Sequence, residues 1–371
     1  MEKDLKKKIL SGQKIQATKL KKTLKVEDLV DNYFQAYNSA RLGEACQLLT
    51  KKMLDPKKDA TIGLTLAGAL TPAGISGMVI SMMEAGFIDF IIATGANIYH
   101  DIHFALGLDL HKGVFNVDDA SLWDNGIVRI YDIFMGSDTL IKTDRFLENI
   151  LAFDKDRPTG AISSRELHNY IGQKLLKQAK FPQNSILAQA AKLNVPIYTS
   201  SPGDSTLGMN LATYVLDGSR NLTQDPNLDV LETTAIVMGA KENGAILLGG
   251  GSPKNFYMQT QPMLWECLGI EKGGHDYFIQ ITMDSPQWGG LSGATPSEAV
   301  SWGKINMNEL QNTVVVYADT TIATPILFSY AFAKAKPRKR KELYSKMGKL
   351  MANLRKEFKG IEWWPDYEKS R

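Results

Sequence analysis

Six short, apolar, β-prone runs punctuate the chain: TIGLTLAGAL (61–70), FIDFIIATG (87–95), VPIYTS (195–200), AILLGGG (245–251), YFIQITMD (277–284) and TVVVYAD (313–319). Between most of them apolar positions recur at helical spacing, over 72–85, 101–106, 163–178, 183–193 and 228–241. Strands alternating with helices predict an α/β protein with a Rossmann-like, mostly parallel sheet covered by helices on both faces. An earlier helical pattern, VEDLVDNYFQAYNSARLGEACQLL, starts at Val26 and ends near a Lys-rich turn. Residues 107–145, rich in Asp and Gly, read as an excursion between sheet units.

The two ends differ from this pattern. Residues 1–25 are Lys-rich without a sustained apolar face, which predicts a mobile arm or a short, loosely docked helix. Residues 26–371 then form one large α/β domain. Its basic stretch at 334–358 takes on helical character after Pro337 and reads as a solvated amphipathic helix. A surface for a polyanion or an acidic protein is the functional alternative.

Composition narrows the class. A chain of 371 residues, 44% hydrophobic and 22% charged, is ordinary globular material, and a net charge of +3 is too small to argue for nucleic acid. Cys46 and Cys267 lie far apart with no CxxC pattern and read as reduced core thiols, fitting a cytoplasmic protein. No apolar run approaches the roughly 20 residues of a membrane helix, and MEKDLKKKIL has no apolar signal core. His100 and His103 are spaced to share a helix face, but no further ligand set accompanies them, so no metal is expected.

The candidate chemistry lies at the carboxyl ends of the strands, where open α/β sheets bind ligands. Small or polar residues fall there: Thr94 and Gly95, the run Gly249–Gly251, Asp284 and Asp319. Glycines at 249–251 let the backbone approach a phosphate, although the same residues suit a tight turn. Lys304 ends GGLSGATPSEAVSWGK (289–304), just before the strand-like NTVVVYAD (312–319). Partial desolvation against Trp302 would lower its pKa and leave a neutral amine able to attack a carbonyl or imine.

The segment 284–304, together with TGANIYHD (94–101), NGIVRIYD (125–132), SPGDSTLG (201–208), LLGGGSPKN (247–255) and YAD (317–319), resembles the deoxyhypusine synthase family. Such a resemblance implies that family's fold and NAD as cofactor. Family members remove a hydride from spermidine and carry the 4-aminobutyl group as an imine on the lysine matching Lys304. They pass it to a translation-factor lysine or, in the homospermidine-forming branch, to putrescine. By the same resemblance Thr94, Gly95, Ala96, Asp204, Gly249, Gly250 and Asp319 match cofactor-binding positions. Asp204 alternatively caps the following helix. Glu298 and Trp302 match amine-binding positions, and a homotetramer with sites between paired subunits is implied.

Departures from the family pattern bear on the acceptor. A tandem acidic pair is here Tyr99-His100, a histidine after the glycine run is Asn255, and two further acidic positions are Met209 and Leu291; by the resemblance His100 and Asn255 stand at substrate-binding positions. A polyamine site needs carboxylates to pair its ammonium groups. Asn255 resembles the plant homospermidine synthases, and the YHD and GDSTLGMN wording resembles the bacterial branch. Together they favour a small diamine acceptor. Asp284 and Trp288 are candidate replacements for the lost amine contacts; Asp284 alternatively ends a strand, and Trp288 alternatively packs on a neighbouring subunit. The rival readings are a deoxyhypusine synthase proper, acting on a translation factor, and a non-catalytic paralogue, against which stands the retained Lys304.

Overall fold

A computed structural model describes residues 2–218 and 221–360; the end of the predicted domain, 361–371, lies outside the described residues. Among the described residues there are eleven strands: β1 (Ala60–Leu66), β2 (Phe90–Ala93), β3 (His111–Lys112), β4 (Ile127–Ile130), β5 (Ile133–Gly136), β6 (Gly160–Ile162), β7 (Ile197–Thr199), β8 (Leu222–Gln224), β9 (Glu242–Leu248), β10 (Tyr277–Thr282) and β11 (Thr313–Tyr317). Six of them form an all-parallel sheet in the order β11-β10-β9-β1-β2-β7. Read from β7, and counted within the sheet, this is the doubly wound order 3-2-1-4-5-6. The six apolar runs are these six strands.

Their lack of polar alternation has a plain cause. Successive residues of one strand feed two different cores. Ile246 and Leu248 of β9 join one apolar cluster with Leu64 and Ile281, whereas Ala245 and Leu247 join another with Phe90 and Phe278. The first is closed by helices Ser76–Glu84, Ser164–Gln178, Ile186–Leu193 and Thr320–Lys334, the second by Pro226–Gly239, Gly251–Met258 and Leu343–Glu357. A sheet buried on both faces has no wet side for polar residues.

Local chemistry sets the element ends. The helix foreseen at 101–106 begins earlier, at Gly95, because Thr94 caps it and terminates β2 at Ala93. Ser163 and Glu166 form a reciprocal capping box on the helix Ser164–Gln178. Asp101, 1% exposed, accepts from the Ser185 hydroxyl at 2.6 Å and from the Ile186 and Leu187 amides at 2.8 and 2.9 Å. One helix thus holds the start of another, so the aspartate of TGANIYHD is structural.

Three expectations change. Residues 107–145 carry a small antiparallel sheet, β3-β5-β4, between short helices. The basic stretch is only partly a solvated face. The Arg338 side chain is largely covered, donating to the Gly86 and Ala60 carbonyls at 2.9 and 3.0 Å and pairing with buried Asp89 at 3.2 Å; Leu343, Met347 and Leu354 of the last helix are core. Cys46 is a core thiol but Cys267 is exposed, because on the wide turn Met263–Cys267 it is Leu264 that faces inward. The N-terminal segment contains a helix, Glu2–Ile9, and Gln16 and Gln35 exchange hydrogen bonds of 2.7 and 2.9 Å that tie the following residues to the domain.

The Asp101 junction generates a stability prediction. Asp101→Ala would strand two buried amides and a hydroxyl, and each orphaned donor costs about 1–3 kcal/mol. Denaturant unfolding of the variant should show a loss of roughly 2–4 kcal/mol. An unchanged midpoint would show that the junction contributes nothing.

Candidate active site

The chain turns left from β1 through β2 to β7 and right from β9 through β10 to β11, so the sheet's switch point lies between β1 and β9. The glycine run follows β9 at that crevice. Gly249 has φ +82° and donates to the Ile281 carbonyl at 2.8 Å, joining the end of β9 to β10. Gly251 has φ +58°, and a Cβ there would meet nothing within 4 Å. Gly250 differs. A Cβ on it would fall 2.4 Å from both Cα and Cβ of Ser292, so its lack of a side chain admits the lysine loop rather than open space. The Gly251 amide donates to the Ser292 hydroxyl at 2.8 Å.

Two helices start beside this crevice, Gly95–Leu106 after β2 and Gly251–Met258 after β9. Their first-turn N–H groups make the local potential positive, as suits an anionic ligand group. Thr94, Gly95 and Ala96 lie at the first of these starts. The Thr94 hydroxyl oxygen accepts from the Asn97 side chain at 2.9 Å, and Asn97 in turn accepts from the Leu70 and Thr71 amides, both at 2.9 Å. This fixes the turn after β1. Asp319 accepts from the Thr321 amide at 2.7 Å, capping the helix Thr320–Lys334. Asp204 does not cap its helix: Ser205 does, accepting from the Gly208 amide at 2.9 Å, which leaves the exposed Asp204 carboxylate outside that role.

Lys304 and Asn255 meet. The lysine Nζ donates to Asn255 Oδ1 at 3.0 Å and sits 5.5 Å from the centre of the Trp302 ring. Burial lowers the Lys304 pKa, and the Glu298 carboxylate opposes that by favouring its charged form. Glu298 is itself exposed, on the first turn of the helix Pro296–Ser301 that Thr295 caps. The amine borders a cavity of about 290 Å³ whose walls include Trp302, Phe256, Gln259, Thr233 and Glu266. Cys267 lies on the same wall.

A second lysine stands beside the first. Lys254 is 5% exposed, and its ammonium donates to Gln280 Oε1 at 3.0 Å and to the carbonyls of Ser292 and Ala294 at 3.1 and 2.7 Å. Burial brings its pKa down to about 8, with the charge of Lys304 acting in the same direction and Glu298 and Asp284 opposing. Sequence reasoning passed over it inside LLGGGSPKN. Its signal was position, one residue before Asn255 on the helix that follows the glycine run.

Other expected residues are placed as follows. Asp284 lies just past β10 and acts electrostatically on Lys254, which puts it in the same cluster. Trp288 is 69% exposed, and so are Met283 at 66%, Trp302 at 57% and Leu291 at 50%; all four lie in the segments that lead to Lys304. His100 is engaged elsewhere. Its Nδ1 lies 3.1 Å from His103 Nε2, and His103 Nδ1 lies 2.8 Å from the Thr143 hydroxyl. Burial lowers both histidine pKa values, that of His103 to about 3, which favours the neutral rings. Among the described residues no helix is long and apolar enough to cross a membrane.

Comparison with known proteins shows the family. The family model for deoxyhypusine synthase matches residues 28–331. A deoxyhypusine synthase-like protein of Nostoc punctiforme is 48% identical over 365 residues, spanning 95% of this chain and 92% of the relative. A protein of Archaeoglobus fulgidus named probable deoxyhypusine synthase 1 is 36% identical over 318 residues, spanning 85% and 97%. A solved structure from Entamoeba histolytica that carries the deoxyhypusine synthase name superposes with a TM-score of 0.57 at 18% identity, covering 87% of this chain and 99% of that one, and so shares its fold. The chain belongs to the deoxyhypusine synthase family.

The contact at Gly250 can be tested directly. Gly250→Ala should destabilise the protein by roughly 1–3 kcal/mol, the usual cost of overpacking, read as a lower thermal midpoint. Because the backbone Cα of Ser292 stands as close as its side chain, Ser292→Gly should not rescue it. Full rescue would place the conflict in the serine side chain alone.

Proposed function

We propose that this member of the deoxyhypusine synthase family is an NAD-dependent 4-aminobutyl transferase that passes the group from spermidine or putrescine to a small diamine, giving homospermidine. The observation that carries the reading is the partly buried Lys304 amine, held by Asn255 and flanked by Trp302, at the edge of a cavity. A neutral amine there has a lone pair for attack, and a neutral amide holds it without adding the positive charge a histidine can carry.

The crevice at the switch point fits a dinucleotide. Gly251 and Gly68 both have positive φ and open space where a Cβ would stand, so backbone can approach a phosphate. Thr94, Gly95, Ala96, Gly249 and Gly250 would hold the pyrophosphate region, and Asp204 and Asp319 the ribose hydroxyls. When bound, NAD supplies a hydride acceptor for the first half of the reaction and returns the hydride in the second.

Lys304 does the covalent work. Its amine adds to the oxidised carbon of the donor, and for spermidine the propylamine portion leaves with the electrons of the broken C–N bond. The 4-aminobutyl group is then an imine on Lys304. An acceptor amine adds to the same carbon, and Lys304 leaves as the free amine. Glu298 pairs an ammonium of the substrate, the Trp302 face attracts an alkylammonium, and Asp284 adds negative charge to the same neighbourhood. Exposed Trp288 and Trp302 are covered in our reading by a second copy of the chain in a homotetramer, which would also keep water from the imine. The cytoplasm is the proposed compartment.

A deoxyhypusine synthase proper is the competing reading, favoured by the name of the archaeal relative. Purified enzyme with spermidine and NAD should convert putrescine to homospermidine. Efficient labelling of a translation-factor lysine with no homospermidine would replace this reading with the competing one.

Two substitutions probe the roles. Borohydride reduction during turnover should add an aminobutyl-sized mass to the Lys304 peptide, and Lys304→Arg should abolish both trapping and transfer, since a guanidinium stays charged. Full transfer by that variant would remove Lys304 from the mechanism. Glu298→Gln should lower kcat/KM by about ten- to a hundredfold, the worth of roughly 1.5–3 kcal/mol for a hydrogen bond to a charged group, with the thermal midpoint unchanged.

A further inference from the structure

Lys254 has no part in the chemistry just described, yet it is a buried cation held entirely by neutral oxygens. Its three N–H donors have three acceptors: Gln280 Oε1, the Ser292 carbonyl and the Ala294 carbonyl. A neutral amine has only two N–H groups and would leave one of those acceptors unmatched, so this arrangement is built for the ammonium form. Gln280 reinforces it, donating to the Ser292 carbonyl at 2.7 Å and the Gly249 carbonyl at 3.0 Å. The next residue, Asn255, accepts from Lys304.

We propose that Lys254 is a positioning residue for Lys304, a protonated ammonium that pins the 292–294 backbone to the helix bearing Asn255 and fixes a positive charge beside the reactive amine. The inference shares with the proposed function only the premise that Lys304 is the reactive group. A fixed charge in a partly dry setting disfavours a second one nearby, which favours the free-base form of Lys304. The other charges in the cluster act against this: Glu298 favours the charged form of both lysines, and Asp284 that of Lys254. Burial outweighs these carboxylates, since both lysines come out below the ordinary lysine value, and the three-acceptor clamp assigns the retained charge to Lys254.

The charge and the clamp make separable predictions. Lys254→Arg keeps the charge. Lys254→Met removes both charge and hydrogen bonds while preserving much of the apolar stem. A role confined to packing would lower the thermal midpoint without altering the acid–base behaviour of Lys304.

The test needs neither NAD nor a polyamine, so it stands whichever acceptor the enzyme uses. Purified full-length protein is treated with butyraldehyde and cyanoborohydride across pH 6–11, on the order of the range bracketing lysine titration, and alkylation is read peptide by peptide by mass spectrometry. In the unaltered protein Lys304 should be alkylated with a midpoint below that of the exposed lysines, and Lys254 should stay unmodified while the fold lasts. Lys254→Met should move the Lys304 midpoint up towards the exposed lysines and slow its labelling near neutral pH about tenfold, the effect of one pKa unit. Lys254→Arg should keep the midpoint low. An unmoved midpoint in a folded Lys254→Met protein overturns the proposal. If that variant does not fold, the unaltered protein decides: alkylation of Lys254 as fast as Lys304, or a Lys304 midpoint equal to that of exposed lysines, rejects it.

Discussion

The approach of Ser292 to the glycine run is the constraint on which the site depends. No side chain fits between Gly250 and Ser292, and the Gly251 amide binds the serine hydroxyl. Gln280 and Lys254 both bind the serine carbonyl. Backbone from the crevice at the switch point and backbone from the loop leading to Lys304 are therefore one hydrogen-bonded unit. A side chain at Gly250 would separate them, and with them the two halves of the proposed chemistry, the crevice at the switch point and Lys304. Close packing makes such a contact close to all-or-none, because interiors hold few voids that could absorb a displaced loop.

Most of the fold was legible because its strands are buried on both faces and therefore read as unbroken apolar runs. Their ends were blurred where apolar residues continue past the last ladder bond, as in TIGLTLAGAL, of which β1 keeps only Thr61–Leu66 after starting at Ala60. The excursion 107–145 hid its small sheet because strands of two to four residues, mostly half-exposed, leave no pattern long enough to read. Arg338 was illegible for another reason. A run of basic residues reads as solvated, and only the fold brings one guanidinium against Asp89 and the carbonyls of Ala60 and Gly86.

At the site, sequence reasoning found the residues whose chemistry is local to a motif. Lys304, Trp302 and Asn255 fall together, Glu298 acts on both lysines and Asp284 acts on Lys254. It missed Lys254, which is singled out by burial and by bonds to carbonyls some forty residues away in sequence. It gave His100 to the amine, whereas the structure engages that ring with His103 and, beyond it, Thr143. Lone polar residues gain their meaning from partners that only the tertiary structure supplies.

In the proposed reaction the charges around Lys304 meet two opposite demands of imine chemistry. Before reaction the amine must be neutral, because an ammonium has no lone pair to donate. After reaction the same nitrogen does best as a protonated imine, since the positive charge draws the acceptor's electrons to the neighbouring carbon. Burial of Lys304 serves the first demand, and the Glu298 carboxylate serves the second. With burial alone, the imine would resist protonation and react slowly with the acceptor; with only the carboxylate, Lys304 would keep its proton and never attack. Exposure of Glu298 lets solvent screen its pull on the resting amine. Covering the site with substrate or a second subunit would remove that screening and strengthen the pull once the imine has formed.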